Sequence, residues 1–272
     1  MYLWRKVAAA RWLNANEARL QGRARGQLAV IAKPGGKRLR MEIACGSWPQ
    51  ARHLLRDFGG RIEKVPRNWW KRLERDAKSK PLKIGKRLLI LRVPSTKRLA
   101  SGELKTLIIP ASIAFGTGEH STTAMSLLLL ERLTSRWRAG WSLVDLGTGS
   151  GILALAAKCF GAKRVLAVDL DPTAISTAKT NARLNKIDKV DFQLGDLRRW
   201  NPARKMDIVT ANLFSEILIQ ILPKLKRSNW LILSGVLRAQ EKEFVRTLRR
   251  SKIDIVEVRR RGKWVAVLAK TI

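Results

Sequence analysis

A strand that runs directly into closely spaced glycines, and from them into a helix, constrains this chain more than any other feature. Val144 to Leu153 read V-D-L-G-T-G-S-G-I-L. Glycine at 147, 149 and 151 lets the backbone turn tightly and lets a ligand approach where any Cβ would clash. Asp169 ends the next apolar segment, 22 residues after Gly147. That spacing suits a carboxylate accepting hydrogen bonds from two ribose hydroxyls. The pair of signals predicts a nucleoside cofactor bound at the carboxyl ends of parallel strands.

The surrounding rhythm agrees. Ser142–Leu146, Val165–Asp169, Val190–Leu194, Asp207–Ala211 and Trp230–Ser234 read as strands. Ile152–Phe160, Pro172–Asn185, Glu216–Leu225 and Ala239–Arg250 read as helices. Alternation of this kind predicts an α/β fold with a mostly parallel sheet. Ile253–Arg259 and Trp264–Ala269 flank Arg261-Gly262 and predict a terminal antiparallel hairpin. The first 65 residues have a different texture. Short segments at Trp4–Ala9, Asn14–Gln21, Gln27–Ala32, Leu39–Ala44, Pro49–Phe58 and Arg61–Val65 predict β-α-β-β-α-β, a small α+β ferredoxin-like domain. Residues 66–109 read as a linker, with a helical stretch at Trp69–Asp76, the basic run Lys78–Lys86 and an apolar strand at Leu88–Val93. The predicted catalytic domain is then 110–272.

Composition narrows the partners. Lys and Arg number 55 against 21 Asp and Glu, a net +34. Residues 1–97 hold 25 of the cations and 6 of the acids, a balance of +19. Such a field attracts polyanions, so ribosomal RNA contact through the basic N-terminal region is an expectation. No run of 18 apolar residues predicts a membrane span, and Arg11 interrupts the one N-terminal run that resembles a signal. Cys45 and Cys159 are far apart, and His53 and His120 are the only histidines. This excludes a disulfide scaffold, a cysteine zinc site and a His-rich metal site, and makes the reducing cytoplasm the default.

The glycine spacing also discriminates between cofactors. The dinucleotide fingerprint G-x-G-x-x-G places its third glycine one position later than here. D-x-G-x-G-x-G resembles instead the fingerprint of class I S-adenosylmethionine-dependent methyltransferases, with Asp145 suited to a cofactor that carries an amino group. Two more segments stand out. Ala114 to Thr123, A-F-G-T-G-E-H-S-T-T, is rich in glycine and hydroxyls just before a helix. There it can cap that helix or hold a ligand carboxylate, and His120 reads as structural or catalytic. Asp207 to Phe214, D-I-V-T-A-N-L-F, places Asn212 at the carboxyl end of a strand.

In chain order, AFGTGEHSTT, VDLGTGSGILALAA, AVDLDPTAISTAKTNARLN, DIVTANLFSEIL and LILSGVL closely resemble the PrmA family. These are bacterial lysine methyltransferases of ribosomal protein eleven of the large subunit. The resemblance covers Ile109–Leu237 and continues loosely through R-R-G-K-W-V-A-V. Upstream, Trp69-Trp70 and P-L-K-I-G-K-R-L resemble the family's linker. The resemblance implies S-adenosylmethionine contacts at Thr123, Gly147, Asp169 and Asn212, with Phe115 and Gly149 as neighbours and Asp196 near the adenine. It implies that Asn212 orients the acceptor nitrogen, and that the N-terminal domain recognises a ribosomal protein substrate. Two features depart from the family: Ser228-Asn229 replaces a Gly-Gly pair, and A-N-L-F replaces A-N-I-L, placing Phe214 near the substrate side. The alternatives are a ribosomal RNA methyltransferase and a non-catalytic RNA-binding assembly factor. The charge favours the first; the intact glycines and Asp169 oppose the second.

Overall fold

The computed structural model describes residues 2–24, 28–32, 38–64, 81–92, 104–110, 116, 118–201 and 204–272. The chain forms two compact units, Met1–Lys78 and Ser79–Ile272. The predicted helix at Trp69–Asp76 lies outside the described residues.

In the first unit β1 (Tyr2–Ala9), α1 (Ala10–Ala24), β2 (Leu28–Ala32), β3 (Arg38–Cys45), α2 (Trp48–Phe58) and β4 (Arg61–Lys64) follow in that order. The sheet order is β2-β3-β1-β4 and every pairing is antiparallel. Alternation puts Trp4, Met41 and Ile43 on one face, where they meet Leu13 and Leu20 of α1 and Leu54 and Phe58 of α2. The Ser47 side chain accepts from Gln50 N to start α2, Pro49 fits its first turn, and Gly59 at φ 65° ends it. The other face carries Arg5, which pairs with Glu42 and Glu63 at 2.6 Å each. Part of this unit's positive charge is therefore compensated within the sheet.

The second unit opens with a small sheet. Strands β5 (Leu82–Ile84), β6 (Leu88–Leu91) and β7 (Lys105–Ile108) lie in the order β5-β6-β7. They fall where the sequence reads as linker. Their apolar residues Ile84, Leu88, Ile90 and Leu107 are buried in the second unit's core. Two polar side chains tie this sheet down. Glu131, from α3 (Ser121–Thr134), accepts from the backbone N–H groups of Lys86 at 2.6 Å and Arg87 at 2.9 Å. Asn185 accepts from Ile108 N at 2.6 Å and donates to Ile108 O at 2.7 Å, as a neighbouring strand would.

The main sheet has seven strands: β8 (Ser142–Leu146), β9 (Arg164–Asp169), β10 (Val190–Leu194), β11 (Met206–Asn212), β12 (Ser228–Leu237), β13 (Ile253–Arg261) and β14 (Trp264–Thr271). Their order is β10-β9-β8-β11-β12-β14-β13. The first five are parallel, and β14 is antiparallel to both β12 and β13. The terminal hairpin is present, with its second strand inserted inside the sheet and β13 left at the edge. Every residue of β8 is buried, as expected of a strand covered on both faces. One face packs on α3 and α4 (Ile152–Cys159), the other on α6 (Ser215–Leu225) and α7 (Glu241–Arg250). Between β9 and β10 runs α5 (Pro172–Leu184), started by the Asp171 side chain accepting from Thr173 N.

Candidate active site

The switch point of this sheet lies between β8 and β11, where the strand order reverses, and open α/β sheets bind ligands at such a crevice. Gly147, Gly149 and Gly151 have φ of 73°, 55° and 82°, all in the left-handed region that disfavours side chains. A Cβ on Gly151 would stand 2.9 Å from Ala178 Cβ, so the glycine is what lets α4 seat on α5. A Cβ on Gly147 would stand 2.5 Å from Leu213 Cδ2. Leu213 is in turn fixed from below. Gly235, with φ 92°, lets the Leu213 carbonyl approach so closely that a Cβ there would lie 2.3 Å from the oxygen. The sequence signal for Gly235 is a glycine inside an apolar strand, which often marks a bulge. The β12–β14 register shifts between Ser234 and Val236.

Asp169 ends β9 beside this loop. Its Oδ2 accepts from Gly149 N at 2.8 Å and its Oδ1 from Asp171 N at 3.0 Å. Both bonds aim the carboxylate and leave further lone pairs for a ligand's hydroxyls. Burial pushes its pKa up, against the lowering effect of these two backbone donors. The glycine loop and the acid are thus one hydrogen-bonded structure.

Asp145 differs from its expected role. It is 1% exposed. Its Oδ2 accepts from the Thr148 hydroxyl at 2.6 Å and its Oδ1 from the Thr210 hydroxyl at 2.7 Å. Burial pushes its pKa up to about 6, helped by the charge of Asp169 and opposed by the two hydroxyls. The carboxylate shapes the loop from beneath and does not present itself to a ligand's amino group.

Thr123 sits in the first turn of α3, and Asn212 ends β11. The Asn212 amide Nδ2 donates to Thr123 Oγ1 at 3.4 Å, across 89 residues of chain. The loop before α3 is tied to the glycine loop as well. Ser150 Oγ donates to Gly116 O at 2.5 Å, and Asn181 Nδ2 donates to Ser150 O at 2.8 Å. The separate motifs around 116–123, 145–151, 169 and 212 therefore converge on one edge of the sheet. Phe115 lies outside the described residues. His120 Nδ1 is 2.7 Å from Thr122 Oγ1, and the ring packs edge-on against Trp264 with centroids 5.2 Å apart. Burial first, and then nearby Lys263, hold its pKa down. Asp196 gives both oxygens to the Arg198 guanidinium at 3.0 Å. Leu170, which follows Asp169 and is 62% exposed, lies in the AVDLDPTAISTAKTNARLN segment, where the sequence assigns it no role. An apolar side chain in water next to Asp169 is the signal that singles it out.

The parallel sheet with an inserted antiparallel last strand, and the glycine loop paired to an acid at the end of the neighbouring strand, define a class I methyltransferase fold. The family described as ribosomal protein L11 methyltransferase (PrmA) matches residues 41–271, and the chain belongs to it. A ribosomal protein L11 methyltransferase of Clostridium perfringens is 34% identical over 195 residues, 70% of this chain and 61% of that protein. One from Caldicellulosiruptor saccharolyticus is 35% identical over 213 residues, 76% of this chain and 66% of that protein. The chain thus spans less than two thirds of the length of these curated relatives. The crystal structure of a ribosomal protein L11 methylase from Lactobacillus delbrueckii subsp. bulgaricus superposes with a TM-score of 0.64. It is 28% identical and covers 71% of this chain and 100% of its own.

Proposed function

We propose that this protein transfers a methyl group from S-adenosylmethionine to lysine or N-terminal amino groups of a ribosomal protein, of the ribosomal protein L11 type. The observation that carries this reading is the convergence of Thr123 and Asn212 with the Gly147 loop and Asp169 on one sheet edge. The cradle fits the cofactor. Asp169 retains acceptor sites for two ribose hydroxyls, Gly147 and Gly149 offer backbone without side chains, and exposed Leu170 offers an apolar surface for the adenine. When bound, the cofactor supplies an activated methyl group, so the protein's contribution is positioning and exclusion of water.

Asn212 has a specific part. Its Nδ2 is committed to Thr123, so its Oδ1 is the atom left to accept from the acceptor amine. That bond aims the nitrogen lone pair along the line of transfer. The acceptor must first be a neutral amine, and removal from water favours the loss of its proton. Phe214, 49% exposed two residues on, offers an apolar wall for the lysine stem. We assign recognition of the protein substrate to residues 1–65, read as a ferredoxin-like domain, and catalysis to the second unit. We place the reaction in the cytoplasm, where a ribosomal substrate would be met. Among the described residues no helix is long and apolar enough to cross a membrane.

The test is direct. The protein is incubated with methyl-labelled S-adenosylmethionine and either purified ribosomal protein L11 or ribosomal RNA. Label on protein amines supports the reading. Label on RNA alone would replace it with an RNA methyltransferase.

A further inference from the structure

The amino-terminal edge of the main sheet gathers many cations and few acids. Five parallel strands share one amino-terminal edge, opposite the site, and helices α3 to α7 end there. Each of those helices carries a cation in its last turn: Arg132, Lys158, Arg183, Lys224, and Arg249 with Arg250. The site edge is mixed, with Asp169, the Asp171 cap, Glu216 and Glu241 beside the exposed cations Arg238, Lys242, Arg261 and Lys263. Roughly 20 Å of strand separates the two edges.

Helix dipoles account for part of this, since cations favour helix C-termini. They do not account for the cations beyond the helices. Lys163, Lys189, Lys226 and Lys252 lie in the turns that lead into strands, Arg164 opens β9, and all are exposed. Lys186, Lys189 and Lys252 moreover adopt φ of 54°, 56° and 55°. They are the only described residues other than glycine with positive φ. Glycine or asparagine would occupy such positions with less strain. Three times on this edge a lysine holds the strained position instead. The exposed acids here are few, chiefly Asp188, Asp191 and Asp254.

We propose that this amino-terminal edge of the main sheet is a docking surface for the phosphate backbone of RNA. Cations spread over five helix ends and the turns beside them present a broad positive face, suited to a helical polyanion rather than to one small anion. Its position behind the site leaves the carboxyl edge open to a protein substrate while the enzyme is held. The surface is independent of the residues that bind cofactor, and its test needs no methyl transfer. Its failure is therefore distinguishable from failure of the function proposed above.

The experiment compares the full chain with a variant carrying Arg164→Glu, Lys189→Glu, Lys226→Glu and Arg250→Glu. Among the described ion pairs none involves these four side chains. Binding of a fluorescent RNA hairpin is measured by anisotropy between about 50 and about 200 mM salt. The unaltered protein should lose at least about tenfold in affinity over that range. At the low-salt end the variant should bind at least about tenfold more weakly, with a log–log salt slope shallower by about 3. Affinity for S-adenosylhomocysteine, read by calorimetry, should be the same in both, which establishes that the variant is folded. If charge reversal prevents folding, the same four positions changed to Gln should shift RNA binding in the same direction. Equal RNA affinity in variant and parent overturns the proposal. So does equally tight binding of poly-glutamate, which would make the edge an undiscriminating anion surface.

Discussion

Asp145 is buried and Asp169 half-buried beside the same glycine loop, and their chemistry differs. Asp169 is aimed by two backbone N–H groups and keeps acceptor capacity for a ligand. Asp169→Ala should weaken S-adenosylmethionine binding by about 1.5–3 kcal/mol, the worth of charge-assisted hydrogen bonds, or roughly 10- to 150-fold. Calorimetry on the folded variant checks this, and unchanged affinity would remove the ribose role. Asp145 acts on stability instead. Its pKa is pushed up to about 6 in the folded protein, above the ordinary value of 3.8. The folded state therefore holds the proton more tightly than the unfolded chain does. The stability this gives is fully present below the ordinary value and is lost as pH rises through about 6. A rise of that size is worth about 3 kcal/mol. Urea unfolding of parent and Asp145→Asn between those pH values should show the parent losing stability relative to the variant by an amount of that order. Parallel pH profiles would contradict the assignment.

At the scale of elements, the decisive contacts are side chains that serve backbone far away in the chain. Glu131 holds the β5–β6 turn through two N–H groups, and a Cβ on Gly85 would meet its carboxylate at 1.8 Å. Glu131→Ala leaves those donors unsatisfied and should cost about 1–3 kcal/mol each, before any rescue by water. Gly85→Ala should destabilise as well, because of the clash and its φ of 54°. The two changes should be less than additive, since removing the carboxylate removes the clash. A denaturation cycle on the four proteins measures this; strict additivity would mean the hairpin turn is not held by Glu131. These same contacts show where the sequence stops being legible. The glycine loop can be read because its steric demand is written in adjacent residues. The strands and helices of the main sheet can be read from apolar runs and caps such as Asp171-Pro172. Glu131, Thr210 and Asn181 carry no such local mark, for their partners lie 31 to 65 residues away. Strand β6 falls within the apolar run Leu88–Val93 read as a strand, but β5 and β7, three and four residues long, are too short for alternation to stand out from a linker.

At the scale of the whole molecule, the two compact units make separate predictions. A fragment of residues 79–272 should bind S-adenosylmethionine with the affinity of the full chain, because every described contact residue lies in it. It should fail to methylate the intact protein substrate, because recognition is assigned to the first unit. Full activity of the fragment on that substrate would refute the division of labour. A fragment starting at residue 110 should be markedly less stable than the first, since it lacks Ile84, Leu88, Ile90 and Leu107 from the core. Thermal melts of the two fragments in the absence of substrate measure the difference. Linker composition suggests that later boundary, and only packing moves it earlier.

Asn185 has a consequence that reaches beyond a single chain. Strand β7 has β6 on one side, and on the other the Asn185 amide satisfies both polar groups of Ile108. An open strand edge invites pairing with other molecules, and proteins protect such edges with charge, proline or a covering segment. Here one side chain imitates a strand for the length of one residue and closes the opening. With Asn185→Ala the Ile108 N–H and C=O would again seek partners. The variant should self-associate as its concentration rises, well before it loses its cofactor affinity. Light scattering across a concentration series would reveal it, and a variant that stays monodisperse would show that the edge is guarded by something else.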